Sequence, residues 1–228
     1  MIPLRDDNPA QRVPVVTRLL IVLNVLVFVV ELSQGDGLPE FLRDWGLVPG
    51  RLFASFTGET SLPVELSTVF ISLFLHGGWL HLIGNMWYLW IFGDNVEDRM
   101  GSWRFLGFYL AAGFVAAVLH SALNPGSPIP TVGASGAIAG VLGAYAMAFP
   151  RARVMTLIPI FFFFQVVAVP ALVLLGIWFV FQFIAGTMSF GSGSGGVAWW
   201  AHIAGFAFGF IVMGLMNRSQ RARAELVD

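Results

Sequence analysis

Apolar residues in this chain come in long, nearly unbroken runs separated by short polar stretches, with little amphipathic spacing inside the runs. A helix crossing a bilayer needs about 20 mostly apolar residues, so such runs predict membrane spans. Six qualify or nearly qualify: residues 16–32, 69–92, 103–123, 135–149, 167–185 and 198–216. The expected fold is therefore all-α, a polytopic six-helix membrane bundle over residues 16–217 with polar tails at 1–15 and 218–228. The longest connection, 33–68, mixes Leu38, Phe41, Leu42, Trp45, Leu47, Leu52 and Phe53 with charges, which suits a segment lying in the membrane interface. Residues 154–165 leave two options open, an extension of the fifth helix or a stretch along the interface, and Pro159 and Pro170 predict a break before that helix. The Gly- and Ser-rich stretch 189–196 reads as a flexible loop.

Composition agrees with a bilayer setting: 57% of the 228 residues are hydrophobic and 11% charged. There is no cysteine, which excludes disulfides and thiolate metal sites. The first run follows a polar stretch carrying acids as well as arginines and lacks a small-residue cleavage pattern, so a retained helix is expected rather than a signal peptide. All cations are arginine. With six spans, Arg5, Arg12, Arg18, Arg99, Arg104, Arg151, Arg153, Arg218, Arg221 and Arg223 share one side, and only Arg43 and Arg51 lie opposite. That sorting places both termini in the cytoplasm. No basic stripe marks a nucleic-acid partner.

Candidate chemistry begins in the fourth run, at Gly133-Ala134-Ser135-Gly136 with Gly140. Fifteen residues at about 1.5 Å each span roughly 22 Å, short of a hydrocarbon core of about 30 Å. With its far end held by Arg151 and Arg153, Ser135 starts inside the outer face. One reading is packing, with Gly136 and Gly140 letting helices approach and Ser135 as a cap. The other makes Ser135 a nucleophile, which requires a base at the same depth. His202 meets that requirement: Arg151 is sixteen residues after Ser135, and Arg218 is sixteen after His202. Constant helical rise puts hydroxyl and imidazole at one level, and small faces at Gly136, Gly140, Ala201, Gly205 and Gly209 would bring the two helices together. The thirteen acids lie in termini, loops and helix ends, so the inventory permits a Ser-His dyad and no triad. The Ser135 amide at a helix start, with His81 and Asn85 at i and i+4, supplies candidate oxyanion donors. A metal held by His76, His81 and His202 is an alternative, but no HExxH-type motif accompanies them.

These motifs, Gly133 to Gly140 around Ser135, Ala201-His202 with Gly205 and Gly209, and His81 with Asn85, resemble the rhomboid intramembrane serine proteases over residues 69–209. The resemblance implies Ser135 as nucleophile, His202 as base, and an oxyanion site of His81, Asn85 and the Ser135 amide. Glu97 and Gly101 resemble the family's structural Glu-xxx-Gly after the second span. It also implies a minimal six-helix member in a bacterial plasma membrane, acting without a cofactor on transmembrane protein substrates near the outer end of their helices. The loop 189–196 is then a candidate lid and the fifth helix a lateral gate. Two features depart from the pattern. The first outer loop has no Trp-Arg pair, and the residue four after the serine, aromatic in many relatives, is Ala139, which leaves the support of the His202 ring open. A non-proteolytic relative that binds membrane clients, or a small transporter, are the rival readings.

Overall fold

The computed structural model describes residues 1–160, 163–188 and 198–225. Four helices among them are long and apolar enough to cross a membrane: α1 (Val15–Leu32), α6 (Ser102–Leu123), α8 (Ala171–Met188) and, over Trp199–Ser219, α9 (Trp199–Glu225). A fifth span arises if α4 (Leu62–Ile71), extended to Phe74 by a 3-10 turn, and α5 (Trp79–Met100) are taken as one element bent by 79°. α7 (Ser135–Ala148) is apolar but has only 14 residues, about 21 Å of helix. The chain is thus an integral, multi-pass, mostly helical membrane protein. By length and composition the described helices give four or five spans, and the expected six includes α7.

The second run differs from expectation at both ends. It is broken at residues 75–78, where Gly78 has φ 152° and the His76 N–H donates to the Glu31 carboxylate at 3.0 and 3.1 Å. Hydropathy cannot register this break, because the residues on either side are equally apolar. At its C-terminal end α5 continues past Phe92 through Asp94, Glu97 and Asp98, polar residues that end an apolar run without ending a helix, and stops at Gly101 with φ 82°.

Residues 153–160 and 163–170 do not extend the fifth helix. They make a hairpin of β2 (Arg153–Ile160) and β3 (Phe163–Pro170), and β1 (Ile2–Asp6) pairs antiparallel with β2 to give the order β1-β2-β3. Val, Ile, Thr and Phe dominate both arms of the hairpin, the composition that suits a pleated surface. Pro159 lies past the end of β1, whose pairing stops at Leu157, so β2 has a single partner there. Pro170 ends β3, and α8 begins at the next residue. Two expectations change accordingly. The fifth run starts its helix at Ala171 instead of 167, and residues 2–6 of the polar amino terminus are an ordered strand.

At the centre lies α7, buried without interruption from Gly136 to Ala146, as expected of a helix that is apolar all round. It packs most closely on α9, then on α6 and α5, and touches α8. On one side Ala116 and Ala112 close over Gly136 and Gly140; on the other a Cβ on Gly205 would overlap the Gly136 carbonyl oxygen, and one on Gly209 the Gly140 carbonyl oxygen. Between helices in lipid, such backbone proximity supplies the packing that water-driven burial cannot.

Near the C-terminus of α5, Glu97 ties three helices. Its carboxylate accepts from the N–H groups of Val16 and Thr17 (3.0 and 2.7 Å), from Thr17 Oγ1 (2.8 Å) and from Ser102 Oγ (2.6 Å). The first turn of α1 therefore has its free amides met by an anion, and α6 can start directly after Gly101. The long first connection folds as α2 (Leu38–Trp45) and α3 (Pro49–Ala54), fastened by an ion pair of Arg51 with Glu65 at 3.3 Å.

Candidate active site

Ser135 is the first residue of α7, and its position is set by the segment before it. Thr131 pairs with Leu47 through N–H donations in both directions (2.7 and 3.3 Å), and the Gly133 N–H donates to the Ser72 carbonyl at 2.8 Å. Gly133 has φ 123°, and a Cβ there would lie 2.7 Å from the His81 ring, so only glycine can carry the chain past His81 into α7.

α9 presents His202 to Ser135. The Oγ and Nε2 atoms are 2.8 Å apart, and His202 is 8% exposed. The depth argument from Arg151 and Arg218 anticipated this meeting; the glycine contacts between α7 and α9 give it a distance. The other ring nitrogen, Nδ1, lies 2.8 Å from Gln182 Oε1 on α8. Gln182 is 5% exposed. One turn earlier on the same helix, Trp178 brings its ring to 5.9 Å from the imidazole, and Trp199 meets it edge-on at 6.4 Å. The ring left unsupported by Ala139 is thus held from α8 and from α9 itself. Sequence reading missed Gln182 because it looked for a carboxylate; an amide in an otherwise apolar span was the available signal.

His81 and Asn85 line the same cavity as Ser135 and His202, a space of about 230 Å³ between α5, α7, α8 and α9. Asn85 Nδ2 lies 3.0 Å from His76 Nε2, and His76 Nδ1 lies 3.3 Å from the Phe74 carbonyl oxygen. One tautomer satisfies both contacts: Nδ1–H donates to Phe74, and Nε2 accepts from Asn85. The amide is thereby held with one N–H engaged and a second available. His76 packs edge-on against His81 at 5.1 Å, and the Gly77 N–H donates to His81 Nδ1 at 3.4 Å. His120 does not reach the cavity. A larger hollow of about 410 Å³, at the other end of α5 near Arg12 and Trp90, contains none of these groups.

Among the described residues, no group of three histidine or acidic side chains could hold a metal ion. Residues 189–196, the candidate lid, lie outside the described residues. The chemistry open to this arrangement is proton transfer from a hydroxyl to a neutral imidazole, beside helix-start amides and side-chain donors.

The family profile described as Rhomboid domain matches residues 63–219, more than half of the chain. Rhomboid protease GluP of Bacillus subtilis is 37% identical over 132 residues, 58% of this chain and 24% of that protein. The human presenilin-associated rhomboid-like protein, mitochondrial, is 32% identical over 111 residues, 47% of this chain and 29% of that protein. RHOMBOID-like protein 6, mitochondrial, of Arabidopsis thaliana is 30% identical over 154 residues, 56% of this chain and 49% of that protein. The chain thus spans between about a quarter and a half of the length of these relatives. The matched stretch takes in every element that lines the cavity, from α5 to α9, and the chain belongs to the rhomboid family.

Proposed function

We propose that this protein is an intramembrane serine endopeptidase that hydrolyses peptide bonds in or beside the transmembrane helices of other membrane proteins. The 2.8 Å contact between Ser135 Oγ and His202 Nε2 supports this reading most directly. His202 takes the hydroxyl proton as Ser135 attacks the scissile carbonyl, and gives it to the leaving amine as the tetrahedral adduct collapses. The Ser135 N–H, at the free amino end of α7, together with Asn85 and His81, stabilises the oxyanion. Water then hydrolyses the acyl-enzyme, with the same histidine as base. The name of the GluP relative, a rhomboid protease, agrees with this activity.

Ser135→Ala and His202→Ala, each assayed on a model transmembrane substrate in detergent, should abolish cleavage, and Ser135 alone should take a fluorophosphonate label. Wild-type turnover in either variant would overturn the assignment.

In the accompanying topology the chain crosses the bilayer six times with α7 as a short crossing. Both termini are then cytoplasmic, and the cavity opens to the other side. The arginine sorting supports it. Because the chain has no cysteine, Gln11→Cys and Gly126→Cys in spheroplasts of a bacterial host provide a clean test. Only Gly126→Cys should react with an impermeant maleimide, and the reverse pattern sinks the topology.

A further inference from the structure

The imidazole of His202 has two nitrogens, and only one faces the serine. For Nε2 to accept a proton, Nδ1 must already carry one, and in a buried site that tautomer needs an acceptor at Nδ1. Serine hydrolases of the triad type use a carboxylate for this purpose. No Asp or Glu lines this cavity, and the nearby buried acid, Glu31, is engaged by the His76 N–H. The atom 2.8 Å from Nδ1 is Gln182 Oε1.

We propose that Gln182 is the positioning residue of the catalytic histidine, a neutral amide standing where a triad has its carboxylate; this rests on the serine-histidine reading above. Its carbonyl oxygen accepts the Nδ1–H, fixes the tautomer and sets the ring plane, while Trp178, one turn away on α8, covers the ring. Being uncharged, Gln182 does this without placing an anion in the apolar wall of the site, where an unpaired carboxylate is costly. The base is therefore assembled from three helices: nucleophile on α7, imidazole on α9 and orienting amide on α8.

The test compares Gln182→Leu and Gln182→Glu in the full chain, by pH profiles of kcat and kcat/KM on a transmembrane substrate. Gln182→Leu should lower kcat about 10- to 100-fold with KM nearly unchanged. Gln182→Glu should keep most activity but move the acid limb upward by about one pH unit, because a carboxylate at Nδ1 favours the imidazolium. Wild-type kcat and an unmoved limb in both variants, with Ser135→Ala and His202→Ala inactive, would reject the role of Gln182 and leave the dyad standing. If all four variants are active, the dyad itself is at fault. A measurement independent of these variants is the 15N spectrum of histidine-labelled protein, with His202 identified by its loss in His202→Ala. A protonated Nδ1 and bare Nε2 are expected near neutral pH; the opposite tautomer overturns the proposal.

Discussion

The carbonyl oxygen of Gly140 occupies the place where a side chain on Gly209 would begin. α7 and α9 are in main-chain contact at that level and again where Gly205 faces Gly136, so α9 cannot acquire even a methyl group at either glycine without parting from α7. Gly209→Ala should cost at least about 1–3 kcal/mol, the usual range for forcing a methylene into a packed core. It should also lower turnover, since a shift of about 1 Å at a reacting pair can cost 100-fold. Gly107→Ala on α6, where an added Cβ meets nothing, is the control and should leave both unchanged or raise stability slightly. Thermal unfolding in detergent and substrate cleavage read the two effects.

Glu97 is 2% exposed and accepts four hydrogen bonds from α1 and Ser102. Glu97→Ala leaves the Val16 and Thr17 amides without a partner. A buried unmet donor costs about 1–3 kcal/mol, so a loss of roughly 2–6 kcal/mol is expected for the two amides. Glu97→Gln keeps one oxygen and should fall between. Denaturation midpoints of the three proteins give the order directly.

Asn85 and His76 should separate by the size of their effect on turnover. Asn85 faces the cavity, whereas His76 lies behind it and acts on it through its contacts with Asn85 and the His81 ring. Removing one oxyanion donor costs about 100- to 1000-fold in kcat, which is the expectation for Asn85→Ala. His76→Phe should lose less, because the amide survives with a poorer orientation. Equal losses, or a larger loss at His76, would contradict this order.

Asp6 on β1 accepts a hydrogen bond from the Tyr145 hydroxyl of α7. Burial raises its pKa above the ordinary 3.8, a shift that Asp7 reinforces and the Tyr145 hydroxyl partly offsets. A raised carboxyl pKa means that the folded state holds its proton more tightly than the unfolded state. The resulting stabilisation is complete below the ordinary value and is lost as pH rises through the folded one. The thermal midpoint of the wild type should therefore carry a downward component between these two pH values that Asp6→Asn lacks. Identical pH dependence in the two proteins would show that Asp6 is solvated.

The helical membrane bundle was legible in the sequence, and so was the common depth of Ser135 and His202. Helical rise is constant, so equal spacings from Ser135 to Arg151 and from His202 to Arg218 carried depth information that needed no knowledge of packing. The hairpin was not legible, because a short apolar run such as 163–170 suits a strand or a buried helix equally, and the choice is made by its pairing with 153–160, whose other edge is closed by residues 2–6, far away in sequence. The break at residues 75–78 depends on Glu31 reaching the His76 amide across the bundle, another long-range event. Gln182 lies between these cases. It was visible as a polar residue in a span, but its role becomes apparent only when the ring nitrogen opposite it is in view.

Strand β1 also constrains the order of assembly. Its partners at Val154 to Leu157 are made about 150 residues after it, which at roughly 5–20 residues per second means a wait of about 8–30 s during synthesis. Through that interval Ile2–Asp6 has no mate, while α1, α5, α6 and α7 can already associate. Closure of the sheet accordingly follows α7, and it fastens residues 2–6 to a bundle whose earlier helices are already in place.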